Sequence, residues 1–98
     1  MPYAIQLQDK PNSAELRAAT RAAHIDYLTR NQALILAGGA LINDDGSGGH
    51  GGIILVDTED RAIAERFIAG DPFAQAGLFE RVIVTRWRKA FFNKEKLI

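Results

Sequence analysis

Cysteine is absent from this 98-residue chain, so neither a disulfide framework nor thiolate chemistry is open to it. Net charge is absent as well. Twelve Lys and Arg cancel twelve Asp and Glu, leaving no overall field to draw in nucleic acid. No apolar run approaches the ~20 residues of a membrane span, and no membrane or nucleic-acid partner is expected. The start, Met1-Pro2-Tyr3-Ala4-Ile5, lacks both the basic opening and the apolar stretch of a secretion signal, so a cytoplasmic location is expected. A P-loop is missing too: the glycine-rich stretch from Asn43 to Gly52 has neither its spacing nor its lysine. It is not the strand-to-helix junction of a dinucleotide fold either, and no cofactor is expected. Metal-ligand spacings are lacking, since His50, Asp44 and Asp45 would have to fold a loop around an ion. No serine nucleophile can be assigned, because Ser13 reads as a helix cap and Ser47 lies in the glycine-rich loop.

What is present fits one domain over residues 1–98, with room for one core. Tyr3 to Gln8 alternates, with Tyr3, Ile5 and Leu7 on one side, and reads as a half-buried strand. Asp9 to Asn12 breaks it. Ser13 then caps a helix whose apolar stripe is Leu16, Ala19, Thr20, Ala23 and Tyr27, with His24 at the edge of that stripe. Leu34 to Ile42 is a second strand interrupted by Gly38 and Gly39, and Ile53 to Val56 a third; both are apolar on two faces. Thr58 caps a second helix that runs to Gly70. Leu78 to Arg88 is the fourth strand, one face carrying Phe79, Arg81, Ile83, Thr85 and Trp87. From Arg81 onward the basic residues Arg81, Arg86, Arg88, Lys89, Lys94 and Lys96 stand against Glu95 alone; Arg86 and Arg88 are assigned to one face of the strand, and the remainder reads as a solvated terminus.

The order is β-α-β-β-α-β, an α+β ferredoxin-like fold with both helices on one face of an antiparallel sheet. The other face would carry apolar residues of the second and third strands, which predicts a homodimer packed sheet to sheet.

One stretch organises the rest. The second helix stops at Gly70, a β-prone run begins at Leu78, and between them lies Asp71-Pro72-Phe73, an N-cap followed by proline at the first helical position. Asp71 is thereby fixed at the mouth of a turn, within reach of His24 in such a fold. A carboxylate on one ring nitrogen fixes the histidine tautomer and leaves the other nitrogen for a substrate. Pattern alone also admits the plainer alternative, a satisfied histidine at a helix edge beside an ordinary cap. Arg21 and Tyr27, each three residues from His24, are candidate contacts to a small molecule, as are Gly38 and Phe73. A surface charge for Arg21 and core packing for Tyr27 remain the alternatives.

The chain as a whole resembles the YCII-related (YciI-like) family. The resemblance rests on Tyr3 through Asp9-Lys10, Arg21-Ala22-Ala23-His24, Ala37-Gly38-Gly39, Asp71-Pro72-Phe73, Gly77-Leu78-Phe79-Glu80 and Arg86-Trp87-Arg88-Lys89-Ala90-Phe91. It implies a dimeric α/β barrel and an active site of one histidine and one aspartate, which map onto His24 and Asp71. The family usually has proline where this chain has Ala22 and Gly39. Three functions follow. One is a small cofactor-independent enzyme, an isomerase or lyase, with His24 as general acid/base. The others are a module that binds a small metabolite without turnover and a structural dimerisation domain.

Overall fold

Alternation in β1 (Tyr3–Asp9) sets the two sides of the sheet: Tyr3, Ile5, Leu7 and Asp9 are buried, Gln6 and Gln8 exposed. The computed structural model describes residues 1–98. After β1 come α1 (Ala14–Arg30), a single 3-10 turn, β2 (Ile35–Leu41) and β3 (Gly51–Val56). These are followed by α2 (Arg61–Ala69), the one-turn helix α3 (Pro72–Gln75) and β4 (Phe79–Arg86). The strands pair antiparallel in the order β2-β3-β1-β4, which is the ferredoxin-like arrangement. Where the charge pattern predicts only a solvated tail, β5 (Phe91–Phe92) and β6 (Glu95–Lys96) pair as a short hairpin. No helix is long and apolar enough to cross a membrane.

The core lies between α2 and the central strands. Ala64, Phe67 and Ile68 of α2 pack on Tyr3, Ile5 and Leu7 of β1 and Ile54 and Val56 of β3. The cap of α2 is Asp60 rather than Thr58: the Asp60 carboxylate accepts the Ala62 N–H at 2.9 Å, while the Thr58 hydroxyl accepts the N–H of Asp60 itself. Ser13 stands at the N-cap of α1 without capping it, its hydroxyl turned back to the Pro11 carbonyl.

Only part of the predicted apolar stripe of α1, Thr20 and Tyr27, lies on the face turned inward. Leu16, Ala19 and Ala23 are exposed, while Arg17, Thr20, His24 and Tyr27 are half-buried, and no α1 side chain is fully buried. Ala19 and Ala23 have little apolar area to bury. Arg17 and His24, in contrast, each find a buried carboxylate, and such charge-assisted contacts are the stronger ones. His24 therefore sits on the inward face rather than at its edge.

Two further features shape the site. A register shift between Gln8 and Asp9 puts Phe79 opposite Asp9, on the helix side, while Arg81 and Ile83 stay opposite Gln8 and Gln6 on the other. An extra residue in one strand flips the faces beyond it, and so Phe79 leaves the face predicted for it. Also, β3 starts inside the expected glycine connector. A Cβ on Gly51 would collide with the Leu7 carbonyl oxygen, so this glycine serves close strand approach. The face opposite the helices carries Ile53, Ile83 and Leu41, all exposed.

Candidate active site

Asp71 is the N-cap of α3: one carboxylate oxygen accepts the Phe73 N–H at 2.9 Å, with Pro72 as the first helical residue. That turn ties the carboxylate to a fixed backbone, and its side chain is completely buried. The same group takes a second partner. His24 Nδ1 lies 2.8 Å from Asp71 Oδ1 and 2.9 Å from Oδ2. An ionised carboxylate only accepts, so Nδ1 carries the proton.

The capping turn also supplies the platform for the ring. Phe73, two residues on, stacks against the imidazole with centroids 4.0 Å apart and planes inclined by 13°. Phe79 meets Phe73 edge-on at 6.1 Å, which is where the bulge in the β1–β4 pairing has its effect. One short segment therefore holds His24 by its edge and by its face. Nε2 has no protein partner, and because no buried polar side-chain atom is left unsatisfied, it opens to solvent-accessible space.

That space is a cavity of about 210 Å³ between α1 and the β2–β3 half of the sheet. His24, Phe73, Arg21 and Gly38 line it, as do Phe79 and Arg17. Asp71 is behind His24 and does not reach the cavity. Tyr27 does not line it either: its hydroxyl donates to the Phe67 carbonyl at 2.7 Å and its ring lies against Phe67. Burial first, and the nearby Asp71 charge second, push the Tyr27 phenol above its ordinary pKa. His50 is exposed. No three His, Asp or Glu side chains converge as metal ligands.

Arg17 is the cavity residue that sequence reasoning missed. Its Nε donates to Asp9 Oδ2 at 2.7 Å and its Nη2 to the Gly51 carbonyl at 2.9 Å, and the guanidinium lies 4.9 Å from the Phe73 ring centre. A signal was available: Asp9 continues the buried phase of Tyr3, Ile5 and Leu7, and a buried carboxylate requires a cation or donors.

Comparison with known proteins bears on family and fold. The YCII-related domain family matches residues 1–88. Protein YciI of Escherichia coli is 32% identical, over 93% of this chain and 100% of its own length. An uncharacterized protein of Haemophilus influenzae is 35% identical over the same shares. Among solved structures, 5-chloro-2-hydroxyhydroquinone dehydrochlorinase from Burkholderia phenoliruptrix, in complex with 2,5-dihydroxybenzoquinone, superposes with a TM-score of 0.82. It is 33% identical over 90% of this chain and 94% of that one. An antibiotic biosynthesis monooxygenase, 16% identical, shares the fold with a TM-score of 0.51 over 90% of this chain and 99% of its own. With the family model matching residues 1–88 and relatives of 32% and 35% identity covered over their whole length, the chain belongs to the YCII-related family.

Proposed function

We propose that this protein is a small enzyme in which His24, oriented by Asp71, moves a proton on a hydroxylated ring compound without a cofactor. The observation that carries the reading is the division of the imidazole: Nδ1 is held by a buried carboxylate while Nε2 has no protein partner, on a ring that lines the cavity. Nε2 takes a proton from a substrate O–H or an acidic C–H, and the imidazolium that forms is stabilised by Asp71, already in place. The proton then returns at another atom, an isomerisation. Alternatively, a leaving group departs with the bonding electron pair, an elimination. The dehydrochlorinase relative is named for a reaction of the second type.

The test is a thermal-shift screen of hydroxylated quinols and quinones, 2,5-dihydroxybenzoquinone among them, followed by turnover assays on each compound that binds. A compound bound and converted by the wild type should be converted about 10²–10⁴-fold more slowly by His24→Ala. Binding with no turnover would leave the metabolite-binding module, and no binding would leave the structural domain.

The assembly proposed for the site is a homodimer, with Ile53, Ile83 and Leu41 of the open face as its centre. A stable interface buries about 800 Å² per partner. Sedimentation at micromolar concentration should give twice the 10.8 kDa of the chain, and Ile53→Glu should give the monomer. A wild type that sediments as a monomer would refute it.

A further inference from the structure

Two arginines one turn apart on α1 line the cavity, and their situations differ. Arg17 is engaged by Asp9 and the Gly51 carbonyl and lies against Phe73. Arg21, four residues later, is exposed and has neither an ion pair nor a hydrogen bond within the protein. No carboxylate lines the cavity to balance it: Asp9 is paired with Arg17, and Asp71 faces His24 Nδ1 from behind. Arg21 and His24 stand three residues apart, on the same side of the helix. A ligand beneath His24 is therefore also beside an uncompensated guanidinium.

The opposite wall bears on size and shape. Gly38 pairs with Ile54, so it faces the helices from β2. A Cβ built there meets only ordinary contacts, Ile54 Cγ1 at 3.6 Å and Ile35 Cγ2 at 3.7 Å, and its backbone is not in the left-handed region. Neither conformation nor packing demands a glycine at this point, although glycine weakens a strand interior. What a side chain at 38 would take is cavity space. The volume available, about 210 Å³, compares with ~150 Å³ for a protein cavity that admits benzene.

We propose, resting on the reading of His24 as the centre of the site, that Arg21 is the anion-recognition residue and Gly38 the size-limiting residue. The ligand is then a flat, single-ring anion laid against the bare β2 backbone. Its negative group is either a carboxylate or an ionised ring hydroxyl, and both suit a guanidinium.

Calorimetric titration with three single-ring probes tests this: 2,5-dihydroxybenzoquinone as an ionised hydroxyl, 4-hydroxybenzoate as a carboxylate, and 4-hydroxybenzamide as the neutral match to the second. At least one anion should bind the wild type more tightly than the amide does, and which one binds identifies the negative group. Arg21→Gln should weaken that anion about tenfold or more and leave the amide unchanged. Gly38→Ala should weaken every bound probe and Gly38→Val should abolish binding. Circular dichroism checks that the valine variant is folded, and the alanine variant carries the test if it is not. The proposal is overturned if neither anion binds, if Arg21→Gln binds the anion as tightly as the wild type, or if 2-naphthoate binds as well as the single rings. Arg21-dependent binding with no turnover of any bound compound would support this inference while removing the catalytic reading. Turnover that depends on His24 but not on Arg21 would do the reverse.

Discussion

Arginine lies over an aromatic ring at both ends of the helix-covered sheet face. At one end Arg17 lies against Phe73; at the other, Arg61 and Arg86 lie over Tyr3, 5.4 and 4.8 Å from its centre. The register puts these groups at opposite ends of β1, since Tyr3 faces Arg86 and Asp9 faces Phe79. The chemistry is alike but the setting is not. At the Tyr3 end the side chains of Arg61 and Arg86 are 51% and 43% exposed, and they bond outward to the Val84 and Glu59 carbonyls. At the Phe73 end the Arg17 side chain is 15% exposed and its partner Asp9 5%, and a cavity opens alongside. A cation over a ring is thus no mark of a site in itself. The difference lies in what stands behind the polar group and whether open space stands in front of it.

The largest effect should come from removing one cation at each end. Arg17→Met leaves the Asp9 carboxylate buried without its partner, which typically costs about 3–5 kcal/mol. Asp9→Leu added to Arg17→Met should recover most of that loss, because an apolar pair need not be desolvated against its will. Arg61→Met removes a half-exposed group and should cost less than ~1 kcal/mol. Urea unfolding of the variants measures all three. Equal losses for Arg17→Met and Arg61→Met would erase the distinction between the two ends.

A smaller effect separates two aspartate caps. Asp60 and Asp71 each accept the N–H two residues on, from Ala62 and Phe73, both at 2.9 Å. Either aspartate replaced by alanine should lose about 1 kcal/mol of stability. Asp71→Ala should lose more, because His24 Nδ1 also loses its acceptor. Asparagine is as good a cap as aspartate, so Asp60→Asn and Asp71→Asn should both be nearly neutral in melting temperature. Only at Asp71 does the swap change chemistry. The amide oxygen stays with Phe73, the amide NH₂ faces Nδ1, and the imidazole proton is driven to Nε2. Ring ¹⁵N shifts of His24 should report that change of tautomer, and the base facing the cavity becomes a donor. Asp71→Ala and Asp71→Asn lowering the melting temperature equally would mean that the turn does not depend on its cap.

This contrast also shows how far the sequence could be read. The β-α-β-β-α-β order follows from alternation in β1, glycine and proline punctuation, and the apolar strands, all of which are local signals. Asp71 as a cap is local too, since an acid before proline fits few other positions. Its contact with His24 joins residues 47 apart, and only the family resemblance, not the pattern, favoured that contact over two unrelated polar groups. Periodicity finds Thr20 and Tyr27 on the inward face of α1 but not Arg17 and His24, because it counts apolar residues. It does not weigh the two buried carboxylates that turn Arg17 and His24 inward. Alternation puts Phe79 on the opposite face from the one it occupies, because a single bulged residue, invisible in composition, reverses it. Both errors fall at the cavity, where local preference yields to long-range polar contacts.

The smallest effect concerns the two tyrosines, again one toward each end. Tyr27 donates its hydroxyl to the Phe67 carbonyl, while the Tyr3 hydroxyl takes a hydrogen bond from Arg86. Burial, reinforced by Asp71, raises the Tyr27 phenol pKa above the usual value of about 10. The native state therefore holds a proton that the unfolded chain has already lost above pH ~10. The stabilisation is complete below that pH and declines as pH rises through the native value. Tyr27→Phe removes a hydrogen bond worth about 1 kcal/mol at neutral pH, so its melting temperature should be lower there. It also removes this group's alkaline decline, so the gap between variant and wild type should narrow above pH ~10. In a Tyr3→Phe background Tyr27 is the one phenol left, and its ionisation can be followed directly by phenolate absorbance. A phenolate that forms at or below pH ~10 there, or a gap that widens with pH, would mean that Tyr27 is not held against Phe67 as the structure places it.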